Sequence, residues 1–194
     1  SQRYIPSQVE KLIQKRRQHL LQLENGVEYI NFLYILCLFG ISAPNNIIEE
    51  YWGSENDDVL GMLFKKHYLQ YDNNGNIKFD HETLFLFYSK EMEKKKNIQR
   101  ISHSIVTEYA DILKYLPDFQ KAKVLFYAKK YSESEILFEP IIHSIENIHN
   151  ISSTNLSREY FEYMDEIYQL AKRKKKIELQ KKIIQASVYI PMHN

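Results

Sequence analysis

The sequence predicts an all-α chain, mainly helical, with one small β-hairpin. Three observations carry that expectation. Glycine and proline number only 5 each in 194 residues, too few for the turns of an all-β sandwich. Apolar residues recur at helical spacing along most of the chain, beginning with Val9, Leu12, Ile13, Leu20 and Leu21. The stretch from Tyr68 to Phe79 instead alternates apolar and polar residues around Asp72-Asn73-Asn74-Gly75, which is the pattern of a hairpin.

The first helix is expected from Ser7, as N-cap, to about Leu23, with a basic outer face and Asn25-Gly26 as its stop. A second runs from Val27 to Phe39 and ends at Gly40; it is apolar all round, so it belongs inside a bundle. Cys37, the lone cysteine, lies in this run and reads as a small buried hydrophobe rather than a nucleophile. Ser42-Ala43-Pro44 reads as a cap and an early-helix proline for a third helix, with Ile47, Ile48 and Tyr51 inward. Gly53-Ser54 closes it and caps a fourth helix that carries Val59, Leu60, Leu63 and Phe64.

After the hairpin, Asp80 is expected to cap a helix from His81 to about Lys95. Further helices are expected at Ile98–Leu116, Asp118–Lys130, Ser132–Asn147, Ser157–Lys174 and Lys175–Val188. Pro117 breaks the first of these from the second, Pro140 kinks the third, and 148–155 forms a surface loop. Three helices followed by a hairpin is the order of a winged-helix unit, with the fourth helix in the recognition slot. Residues 1–96 are therefore read as a winged-helix module with its N-terminal helix, and 97–194 as an array of antiparallel helical hairpins.

Lys and Arg total 26 against 25 Asp and Glu, a formal charge of +1, so no global field draws the chain to nucleic acid or an anionic membrane. Glu55, Asp57 and Asp58 open the recognition-slot helix, which argues against groove binding; only Lys65, Lys66 and His67 at its far end favour it. The basic run from Lys172 to Lys176 is interleaved by Glu166 and Glu178 and reads as a solvated helix face. The apolar run from Val27 to Ile41 carries Glu28 and is too short to cross a bilayer, and the basic N-terminus is unlike a signal peptide. With one cysteine, a cytoplasmic location is expected. The chain opens on Ser1 rather than Met, as an excised fragment or a tag remnant does.

The five glycines, at 26, 40, 53, 61 and 75, form no phosphate-binding loop, so the chain alone is not expected to hydrolyse ATP. The seven histidines include no His-Glu-x-x-His pair, and no metal site is expected. No serine has a nucleophile-elbow context, and an enzyme is the class with least support. Tyr127, Tyr131, Tyr163 and Tyr168 are candidates for a ligand or partner surface, against the plain reading that they fill a tyrosine-rich core.

Phe79-Asp80-His81-Glu82, directly after the hairpin, resembles the Phe-x-His-(Asp/Glu) junction that closes the winged-helix domain of STAND signal-transduction ATPases. Arg100-Ile101-Ser102-His103 resembles the Arg-hydrophobic-x-His helix leading into their tetratricopeptide-like arrays, and Phe32 to Leu69 is similar to their winged-helix core. Ala122, Leu125, Tyr131, Ser134 and Phe138 fall near the repeat positions, although Lys129 stands where Gly is usual and Ile141 where Ala is usual. The resemblance spans about 25–145 and implies a segment of a larger switch protein of the kind used in signalling or antiviral defence. In such a protein an upstream nucleotide-binding domain holds ATP or ADP, the winged helix latches it, and the tetratricopeptide-like array binds a protein or peptide ligand. The same resemblance places His81 towards the nucleotide phosphates with Asp80 and Glu82 beside it, and gives this chain no cofactor of its own. The alternative is a winged-helix transcriptional regulator that binds DNA and carries a helical ligand or dimerisation region.

Overall fold

An apolar helix from Gly26 to Phe39 is the axle of the structure, with ten of its fourteen residues buried. The structure is a computed structural model and describes residues 5–53, 59–130, 133–134 and scattered positions between 165 and 184. The elements in order are α1 (Ser7–Leu21), α2 (Gly26–Phe39), β1 (Ser42–Ala43), α3 (Asn45–Trp52), α4 (Val59–Lys65), β2 (Leu69–Tyr71), β3 (Ile77–Phe79), α5 (Glu82–Met92), α6 (Lys95–Glu108), a 3₁₀ turn (Ala110–Lys114) and α7 (Asp118–Tyr127). The chain is thus mainly helical with one small antiparallel sheet. One compact unit spans Arg3–Lys129 and includes α6 and α7, so it extends past residue 96. The tetratricopeptide-like hairpins expected over 132–188 lie for the most part outside the described residues; Lys175 is a turn with φ 56, with helical positions at Lys172 and Ile177.

Strand order is β1-β3-β2, all antiparallel, with Ser42 opposite Lys78 and Leu69 opposite Phe79. Helix, strand, two helices and then a hairpin that pairs with that strand is the order of elements expected of a winged-helix unit, and the hairpin expected from the alternation is present. The turn holds because Asp72 accepts hydrogen bonds from the backbone N–H groups of Asn74 (2.8 Å) and Asn76 (3.0 Å). Gly75 sits there at φ 77, a conformation an L side chain resists.

Several expectations are corrected. Ser42 is not a cap: Ser42 and Ala43 form the edge strand β1, and Pro44 is the N-cap residue of α3. Gly26 does not end α1 but opens α2. A Cβ there would lie 2.4 Å from the Leu20 carbonyl oxygen, so glycine is needed for the close approach of α2 to the end of α1. The helix expected to run from Ile98 to Leu116 stops at Glu108, because Tyr109 leaves the helical region at φ −129 and the chain tightens into the 3₁₀ turn. Lys129, where Gly is usual in the resembled repeat, closes α7 in the left-handed region at φ 64.

The core is continuous from α1 to α7. Phe32, Leu33, Tyr34, Leu36 and Leu38 of α2 are fully buried, and Ile48, Leu60, Leu63, Ile77, Phe87, Tyr88, Ile98 and Ile105 close around them. Cys37 is buried as expected, and burial pushes its thiol up to about 12. The basic face of α1 is partly structural. Arg16 donates to the carbonyls of Lys66 and His67 at 2.9 Å each and lies 4.5 Å over the Tyr68 ring, which ties α1 to the exit of α4.

Candidate functional site

The junction from β3 into α5 is built by backbone pairing on one side and aromatic packing on the other. The Asp80 N–H donates to the Tyr68 carbonyl at 2.9 Å, and Gln70 Nε2 donates to the Asp80 carbonyl at 2.7 Å, so the Asp80 backbone is held at both its polar groups. Beneath it, Phe79 packs on Phe85 at 5.8 Å and on Tyr88 at 6.1 Å between ring centroids. The N-cap residue of α5 is His81, not Asp80, and no side chain caps this end. His81 holds an extended backbone at φ −132 and ψ 141, so helical geometry begins one residue later than expected. The His81 carbonyl then receives the Leu84 N–H at 2.9 Å.

The His81 side chain is 70% exposed, and its Nε2 lies 3.5 Å from Asp80 Oδ2. Glu82, also exposed, opens the helix, where a carboxylate suits the positive end of the dipole. The structure therefore brings His81, Asp80 and Glu82 together at one outward corner. An imidazole there can donate a hydrogen bond to an anionic group or a partner backbone, while the two carboxylates beside it select for partners that also offer donors. Tyr127 is half-buried on α7 and packs against the core, and Tyr168 is a half-buried helical residue beyond Lys129. Tyr131 and Tyr163 lie outside the described residues.

A second feature was not legible in the sequence. A cavity of about 390 Å³ opens where the α1–α2 corner meets the ends of α3 and α6. Phe32, Trp52 and Tyr109 form its aromatic wall: Phe32 and Trp52 meet edge to face at 5.0 Å, and Trp52 and Tyr109 are tilted at 5.0 Å. Glu24, Glu28 and Glu108 lie around it, and burial together with the Glu108 and Glu28 carboxylates pushes the Tyr109 phenol up. The signal available beforehand was the chain's single tryptophan at the end of a short helix, and Glu24 just before and Glu28 just inside the start of a mostly apolar one.

Among the described residues, no group of three His, Cys, Asp or Glu side chains is placed to hold a metal ion, and no helix is long and apolar enough to cross a membrane. No protein-family model, curated protein or solved structure matches the chain.

Proposed function

We propose that the chain is a non-catalytic relay segment of a nucleotide switch of the STAND type. On this reading the helical array binds a protein or peptide ligand, the winged-helix module docks on an upstream nucleotide-binding domain, and His81 touches the phosphates of the ATP or ADP held there. The observation that carries it is the exposed His81 imidazole on a backbone fixed at Asp80, since a reporter group must be accessible yet rigidly mounted. The sequence supports it from the other side: with no phosphate loop of its own, the chain has to meet nucleotide through another domain.

The reading is tested first on the open reading frame upstream of Ser1, which is expected to encode a Gly-rich phosphate loop; a frame without one overturns it. In the longer protein, His81→Ala is expected to speed nucleotide release about two- to tenfold, the worth of one hydrogen bond. Unchanged release would remove His81 from the proposal.

The winged-helix order of elements favours one other reading, a DNA-binding regulator, because Lys65, Lys66 and His67 are exposed at the end of α4. Against it, Arg16 already spans the Lys66 and His67 carbonyls, and the wing turn is organised by an acid, Asp72. A mobility shift on duplex DNA at low salt, where phosphate contacts are strongest, decides between them. Specific binding there would put the regulator reading first.

A further inference from the structure

We propose that Asn74-Gly75, at the tip of the hairpin, is a site of spontaneous covalent modification at which the asparagine converts through a cyclic imide to aspartate and isoaspartate. The fold shields the chain's other Asn-Gly pair, Asn25-Gly26, from the same reaction. Neither pair belongs to the His81 corner, so the inference does not rest on the nucleotide switch.

The chemistry needs an asparagine amide, a following backbone nitrogen that nothing screens, and freedom for the peptide between them to turn. Base removes the proton from the glycine N–H, and the nitrogen attacks the asparagine Cγ. The Cγ–Nδ2 bond then breaks and releases ammonia, which carries that proton away. Water opens the ring: addition at Cγ gives aspartate, and addition at the main-chain carbonyl carbon gives isoaspartate, whose chain runs through Cβ and Cγ. No oxidant or cofactor takes part. Glycine favours the attack because it has no Cβ beside the nitrogen. Asn73 and Asn76 are followed by Asn74 and Ile77, whose side chains stand in the way.

Exposure does not separate the two pairs at their asparagines, since Asn25 and Asn74 are both exposed. Nor does hydrogen bonding of the nitrogen: the Gly26 N–H donates to the Leu23 carbonyl and the Gly75 N–H to the Asp72 carbonyl, each at 3.0 Å. What separates them is the cost of turning the peptide. The Asn25 carbonyl receives the Tyr29 N–H at 3.1 Å as the first hydrogen bond of α2. Gly26 is buried, and the end of α1 is so close that a Cβ there would lie 2.4 Å from the Leu20 carbonyl oxygen. Turning that peptide parts α2 from α1. Gly75 is exposed instead, with nothing within 4 Å of an added Cβ. Turning there gives up the N–H bonds of Gly75 and Asn74 to Asp72, while the Asp72 N–H still closes the hairpin below on the Asn76 carbonyl at 2.8 Å.

Either product sets a new carboxylate in the turn that the Asp72 carboxylate organises, and isoaspartate also lengthens its backbone by one carbon. Like charges that close repel, so conversion loosens the hairpin tip.

The intact chain is incubated in mildly alkaline buffer at body temperature, and in parallel in concentrated guanidinium chloride, then digested with trypsin and read by tandem mass spectrometry. Cleavage after Lys66 and Lys78 puts Asn74 in the peptide 67–78, and cleavage after Arg17 and Lys65 puts Asn25 in 18–65. In the folded chain Asn74 is expected to convert about tenfold faster than Asn25, because opening a loop tip costs far less than parting two packed helices. In guanidinium the two should convert at similar rates, since each then precedes a freely turning glycine. Chromatography against synthetic standards should find both the isoaspartyl and the aspartyl form of 67–78. Asn25 converting as fast as Asn74 in the folded chain overturns the proposal, as does an Asn74 that reacts only in guanidinium. The same gap persisting in the denaturant would remove the fold as its cause, and aspartate without isoaspartate would exclude the cyclic imide.

Discussion

Replacing Gly26 with alanine sets two effects of opposite sign against each other at one position. Alanine is the better helix former by up to about 1 kcal/mol, and Gly26 is the first residue of α2. Its Cβ, however, would lie 2.4 Å from Leu20 O, 2.6 Å from Leu21 Cα and 2.7 Å from Leu21 C. All three atoms are backbone, so no side chain can rotate away and the end of α1 itself must move. Overpacking of this kind typically costs about 1–3 kcal/mol, and a backbone obstacle puts it at the upper end. The net loss is then about 2 kcal/mol, which for a unit of this size lowers Tm by about 6–10 °C. Thermal melts followed by circular dichroism measure it, with Gly75→Ala as the comparator. At Gly75 nothing lies within 4 Å of an added Cβ, and only the left-handed backbone at φ 77 resists it, so the loss should be nearer about 1 kcal/mol. A Gly26→Ala chain that melts at or above the parent temperature, or no lower than Gly75→Ala, would refute the close approach of α1 and α2 on which the cavity corner depends.

Ser102 is fully buried and its Oγ has no hydrogen-bond partner, so Ser102→Ala should stabilise the chain by about 1 kcal/mol and raise Tm by a few degrees; a lower Tm would mean the hydroxyl is satisfied in solution. Cys37, with its thiol pushed up to about 12, stays protonated at pH 8.5, so iodoacetamide should label it only after denaturation; rapid labelling of the folded chain contradicts its burial. Partial burial pushes the Asp72 carboxyl up, but the backbone N–H groups of Asn76 and Asn74 outweigh that and hold it below the usual carboxylate range. A lowered folded value means that Asp72 favours the folded wing above the ordinary carboxylate pKa and loses that contribution as pH falls through the folded value. Carboxyl-resolved NMR should place the Asp72 titration below that of a model aspartate, and Asp72→Asn should flatten the acid limb of the stability curve; a titration at the ordinary value removes the turn hydrogen bonds from the account.

What the sequence made legible follows physical signal strength. The α2 helix was readable because fourteen residues with hardly a polar side chain have only one place to go, and the wing because alternation flanks an Asn-Gly turn. The edge strand β1 was not, since Ser42-Ala43 is too short to carry any period and its only evidence is a partner far along the chain at Lys78 and Ile77. The continuation of α6 misled for a related reason. Ile112, Leu113 and Leu116 keep helical spacing past Tyr109, yet the ring of Tyr109 packs on Tyr51 and Trp52 and the backbone breaks to allow it. His81, Asp80 and Glu82 were legible as neighbours, but which of them begins α5 depended on the extended backbone of His81, which its residue type does not announce. The cavity was invisible because its walls come from separated segments, and hydrophobic periodicity reports burial rather than concavity.

The small sheet has a consequence for how the module behaves at high concentration. Its outer strands are two and three residues long, and Pro44 directly follows β1, where it has no N–H to offer an incoming strand. Sheets expose at their margins the backbone groups that recruit other chains, and brevity together with proline is one way that natural proteins blunt them. The small sheet therefore offers little template for edge-to-edge joining. Copies brought side by side, in a crowded solution or on a shared assembly, should remain separate at this sheet and associate through side chains instead.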